Sequence, residues 1–169
     1  MLNRIMARLF RRCYLSPMNK HTPKHELATY DSDFHLWSQN QAAAIRDGKF
    51  AEIDLENVAE EIESLGKSDR REIRNRLEVL LLHLLTWQFQ SEKRNNSWNG
   101  SIVEARLRIT GLVEESPSLK NLPEQRLVEA YADARRRAAA ETGLSITRFP
   151  AECPYSVIDI MDDDFLPGA

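Results

Sequence analysis

The chain has 169 residues, 42% of them hydrophobic and 29% charged, with a formal net charge of −3. That length suffices for one domain with a real core, and the charge is too small for a general affinity for nucleic acid or anionic membrane. Two cysteines, Cys13 and Cys153, exclude a disulfide framework; no Cys-x-x-Cys pair offers zinc or redox chemistry, and a reducing, cytoplasmic setting is expected.

Residues 1–27 stand apart. Leu2, Ile5, Met6, Leu9 and Cys13 fall at helical spacing among Arg4, Arg8, Arg11 and Arg12. A membrane-surface anchor would use that pattern, but one short basic segment binds membranes weakly. The expectation is a basic, disordered leader, dispensable for folding, followed by a single helical domain over 28–169.

From Asp31 the periodicity becomes helical. Asp31 or Asp33 can cap a helix running to about Arg46, with Phe34, Trp37, Gln41 and Ala44 or Ile45 inward. Asp54 caps a second, and Gly66 is expected to stop it. Within it Leu55, Val58, Ala59, Ile62 and Leu65 make an apolar stripe, and Glu56, Glu60 and Glu63 a charged one. Residues 50–66 contain six acids and no Lys or Arg; Lys67, Arg70, Arg71, Arg74 and Arg76 follow at once. Like charges on one helix face cost stability unless something answers them.

Asp69 and Glu72 form a capping-box pair for a third helix over about 69–89. Ile73, Leu77, Leu80, Leu81, Leu84 and Leu85, with Val79 and Leu82, make it apolar nearly all round, as befits a helix at the centre of a bundle. Ser97 can cap a fourth helix carrying Trp98, Ile102, Ala105, Ile109 and Leu112. Pro123 suits the first turn of a fifth, with Leu127, Ala130, Tyr131, Ala134 and Ala138 inward and Gly143 at its end. The remainder is Pro-punctuated and irregular, with one short turn of helix after Ser156. The fold class is therefore all-α, a bundle of about five helices. No apolar run is long enough to span a bilayer.

Three groups of residues could carry chemistry. Glu56, Glu60 and Glu63 lie at i, i+4 and i+7 and could converge on a hard cation. The Glu-x-x-His step of helical di-iron sites is missing, so neutralisation by Arg70, Arg71, Arg74 and Arg94 is expected, with no metal and no cofactor. His83 lies among leucines with Arg76 two turns before it. Arg-x(4–6)-His is the spacing of the helical HEPN ribonucleases, from which Leu77, apolar where a polar residue is usual, departs. Trp87, Arg94 and Trp98, with Gln88, Gln90, Ser97 and Arg106, form an aromatic and basic cluster. It could stack bases, but the commoner use of such residues is to close the end of a bundle.

Six segments resemble one bacterial family: Y-D-S-D-F-H-L-W (30–37), D-L-E-N-V-A-E-E-I-E-S-L-G (54–66), L-E-V-L-L-L-H-L-L-T-W-Q-F-Q (77–90), R-N-N-S-W (94–98), S-P-S-L (116–119) and F-P-A-E-C-P-Y (149–155). The chain is similar over Tyr30 to about Leu166 to the domain of unknown function family 29. The resemblance implies an all-helical domain and marks Glu56, Glu60, Glu61, Glu63, His83, Trp87, Arg94 and Trp98 as motif positions. It implies no activity.

Two functions follow as expectations. With no complete catalytic constellation, the first is a non-enzymatic interaction or scaffold module. Its partner would be a protein with a basic surface or a second copy of the chain, not nucleic acid. The alternative is a ribonuclease-like or metal-assisted hydrolase using His83 with Arg76 or with Glu56, Glu60 and Glu63.

Overall fold

A computed structural model describes residues 28–168 of the chain. The readings of the leader and of Cys13 lie outside the described residues. Among those described there are five α-helices and no strand: α1 (Phe34–Arg46), α2 (Leu55–Phe89), α3 (Asn96–Glu115), α4 (Leu122–Thr142) and α5 (Val157–Met161). Among the described residues no helix is long and apolar enough to cross a membrane. The chain divides into a unit ending at Val58 and a unit beginning at Ala59.

In the first unit Asp33 caps α1 by accepting from the Leu36 N–H at 3.0 Å. Trp37 and Ala44 are its buried residues, whereas Phe34 and Ile45 stay exposed. The Trp37 ring stacks on Phe34 and meets Tyr30 edge-on, with centroids 5.6 and 4.9 Å apart. Gln41 Oε1 accepts from the Asp54 N–H at 2.8 Å. Asp54 in turn caps the next helix through the Asn57 N–H, at 3.3 Å. The Asn57 side chain donates to the same carboxylate and holds it below the usual range.

The second unit departs from the expected boundaries in one large way. Gly66 does not stop a helix, and Asp69 and Glu72 do not start one: α2 runs unbroken from Leu55 to Phe89. The physical reason is visible in the spacing. Ala59, Ile62, Gly66, Ile73 and Leu77 keep one helical face in phase across the glycine, and no proline interrupts it. A glycine inside a helix costs about 1 kcal/mol, which a helix packed over its later turns readily absorbs. Glu72, freed from capping, accepts from Arg76 Nε at 2.7 Å. A smaller correction concerns α3, which is capped by Asn95, accepting from the Trp98 N–H at 3.0 Å, and not by Ser97.

The core is where the central apolar run predicts it. Ile73, Leu77, Leu80, Leu81, Leu82, Leu84 and Leu85 are buried. They cluster with Ile102, Ala105 and Ile109 of α3, with Ala130, Tyr131, Ala134 and Ala138 of α4, and with Phe149, Tyr155 and Ile160 beyond. Three alanines on α4 allow its backbone to approach closely. Pro123 sits in the first turn of α4, and Gly143 ends it with φ 71°, the left-handed conformation that favours glycine. After it the chain is irregular until Ser156 and Asp159 form a reciprocal capping box for α5.

One residue organises this irregular segment. Arg106 of α3 is 2% exposed. Its Nε donates to the Ile160 carbonyl at 2.8 Å, Nη1 to Asp163 at 3.1 Å and Nη2 to Phe165 at 2.7 Å. Burial pulls its pKa down, while Asp163 and Asp162 pull the other way. A guanidinium fork thus satisfies three backbone acceptors that no helix would serve.

Candidate functional site

Several of the motif side chains that could carry chemistry are engaged in holding the second unit together. Arg94 donates from Nε to the Trp87 carbonyl at 3.0 Å and from Nη2 to the Gly168 carbonyl at 2.9 Å. Its guanidinium lies 5.1 Å from the Trp87 ring centroid, a cation–π contact. Trp98 is half-buried in the first turn of α3. Tyr155 donates to Gln88 at 2.6 Å, and Tyr131 to the Pro150 carbonyl at 2.7 Å. Burial pushes both phenols up, that of Tyr131 to about 12, so they are hydrogen-bond donors and not bases. Cys153 is a half-buried free thiol whose pKa burial also raises, the opposite of a reactive cysteine.

Arg76 and His83 face different partners. Arg76 pairs with Glu72 and, at 3.5 Å, with Glu104 of α3. The Glu72 hydrogen bond, ahead of the other influences, raises its pKa. His83 is half-buried, and its Nδ1 has no hydrogen-bond partner among the described residues. Burial lowers its pKa first of all; Glu141 opposes this and Arg137 adds to it. A folded chain that takes up this proton less readily than the unfolded chain loses stability as pH falls. The contribution is complete above the unfolded value, about 6.5, and fades below it. His83→Gln should therefore flatten the fall in melting temperature between roughly pH 6.5 and 5. An unchanged slope would show that His83 titrates normally.

Among the described residues the acidic stripe meets the basic turns after it only at Glu63 and Lys67. Glu60 and Arg70 stand on one continuous helix, ten residues and about 15 Å apart along its axis. Glu63 pairs with Lys67, 3.0 Å away. Glu56 and Glu60 form no ion pair among the described residues. The expected neutralisation by Arg70, Arg71, Arg74 and Arg94 does not occur, because it assumed a turn at Gly66 that would fold the basic residues back. Arg74 instead binds Glu129 and Asp133 of α4. No group of three or more His, Cys, Asp or Glu side chains among the described residues is placed to hold a metal ion.

What remains unengaged is a surface. Ile62 and Leu65 are 65% and 70% exposed on an intact helix. On another side of α2, Lys67, Arg70, Arg71 and Arg74, with Arg126 and Glu129 of α4, line an open groove of about 450 Å³. Glu129 is already shared by Arg74 and Arg126. Arg70 and Arg71 form no hydrogen bond or ion pair among the described residues. This stretch of α2 therefore presents two features, the exposed apolar pair Ile62 and Leu65 and a basic groove shared with α4.

The model of the family described as "Domain of unknown function DUF29" matches residues 29–166. The chain belongs to this family. The six motif segments fall within the match, including the acidic stripe, the buried centre of α2 and the Arg94 and Tyr155 anchors. No curated protein and no solved structure matches the chain.

Proposed function

We propose that this DUF29 domain is a non-enzymatic interaction module, working in the cytoplasm, whose contact surface is the Ala59–Arg74 stretch of α2 with its adjoining basic groove. One observation carries the reading: Ile62 and Leu65, 65% and 70% exposed, project from a well-formed helix without apolar cover among the described residues. Exposed apolar residues are ordinary singly, but a helical row of them rimmed by charge is the pattern of a contact site. The hydrolase reading has less support, since Arg76 is held by two glutamates and His83 has neither an acid nor a nucleophile hydrogen-bonded to it.

The test is a paired substitution, Ile62→Asp with Leu65→Asp. Both side chains are solvated in the lone domain, so the melting temperature should move by little, within about 0.5 kcal/mol of stability. Co-purification of any specific partner from the native host should be lost. Retention of the same partner set by the variant would overturn the surface.

A further inference from the structure

Resting on the interaction-module reading, we propose that the basic groove between α2 and α4 takes a short acidic segment of a partner protein, its carboxylates held chiefly by Arg70, Arg71 and Arg126. Repulsion within the groove is the first observation. Every lining residue is charged, and among the described residues Glu129 is the one acid there. Lys67 and Arg71 stand four apart on α2, as do Arg70 and Arg74; Lys67 and Arg70 stand three apart, as do Arg71 and Arg74. Like charges at these spacings repel across one helix face. Glu63 answers Lys67, Glu129 answers Arg74 and Arg126, and Asp133 is a second partner of Arg74. Arg70 and Arg71 are exposed and have no ionic partner among the described residues. An anion seated in the groove relieves a repulsion that the lone domain carries.

The kind of anion follows from what the groove already holds. One oxygen of the Glu129 carboxylate accepts from Arg74 Nε at 3.0 Å, and the other accepts from Arg126 Nη1 at 2.9 Å. A carboxylate therefore fits between guanidinium groups here, and the rest of the Arg126 fork keeps donors to spare. Nucleic acid fits less well. No aromatic side chain lines the groove, so bases have nothing to stack on. Glu60 and Glu56 stand seven and eleven residues before Lys67, on its side of the helix. A long polyanion running on along α2 would meet both. A short acidic segment meets the basic residues alone.

Binding of labelled hexaglutamate to the full chain at low ionic strength tests this, with hexaglutamine and single-stranded hexathymidylate as the other probes. Hexaglutamate should bind and hexaglutamine should not. Arg70→Gln with Arg71→Gln should weaken hexaglutamate binding at least about tenfold. The melting temperature of that variant should not fall, since both side chains are exposed and unpaired among the described residues. Arg108→Gln with Arg148→Gln removes the same charge outside the groove and should change binding by less than about twofold. A wild type that does not bind hexaglutamate overturns the proposal. So do equal losses in the two double variants, and tighter binding of hexathymidylate than of hexaglutamate. The surface as a whole is judged separately, by capture of partners from the native host. If Ile62→Asp with Leu65→Asp loses those partners while Arg70→Gln with Arg71→Gln keeps them, the acidic segment alone has failed; if neither pair loses them, the interaction surface fails with it.

Discussion

Arg106→Leu is expected to destabilise the domain by about 3–5 kcal/mol, close to the whole stability of a marginal protein. The guanidinium is almost fully enclosed, and its three donors meet the carbonyls of Ile160, Asp163 and Phe165. Leucine would keep much of the apolar stem but leave three acceptors in and around the core without a donor. Hydrogen bonds from a charged donor contribute about 1.5–3 kcal/mol each, and unmade ones cost as much. Arg106→Lys should rescue little, because one ammonium cannot span three acceptors held by a planar fork. The loss should be local at first: residues 157–168 should become sensitive to protease before the rest of the second unit. Chemical denaturation with limited proteolysis checks both. A loss under about 1 kcal/mol would mean that the C-terminal segment is held by its apolar contacts instead.

The second large effect lies at the centre of α2. Leu84→Ala should cost about 2–5 kcal/mol, since the side chain is wholly enclosed and its neighbours come from several segments that cannot all collapse inward. Leu81→Ala should behave alike. Ile62→Ala, on the same helix but solvated, should cost far less. A gradient of this kind along one helix distinguishes a core segment from a projecting one in a single experiment. Equal losses at Leu84 and Ile62 would show that the exposed turns are packed against something within the chain.

The parts of this architecture that depend on local rules were legible. Asp33, Pro123, Gly143 and Ser156 each mark a helix end by a mechanism that acts within a few residues. The apolar run from Ile73 to Leu85 locates the core because burial on all sides leaves no polar period to hide it. Gly66 misled because a glycine can end a helix or be carried inside one, and only the packing of the turns beyond it decides. The signal that would have resolved it is the unbroken phase from Ile62 through Gly66 to Ile73. Arg106 was visible only as one member of an aromatic and basic cluster. Its role depends on three carbonyls more than fifty residues away, which no spacing rule connects. The same holds for Arg74, whose carboxylate partners Glu129 and Asp133 lie across the bundle on α4. The acidic stripe was read as charge awaiting an answer, and within the described residues Glu56 and Glu60 are still without one.

The contact strip on α2 is the central claim, and capture of partners from the native host by the full chain, with and without Ile62→Asp and Leu65→Asp, addresses it most directly. Partners held by the wild type should be lost from the variant while its stability stays within about 0.5 kcal/mol. The same partner set on both proteins would contradict a contact site at the exposed Ile62 and Leu65.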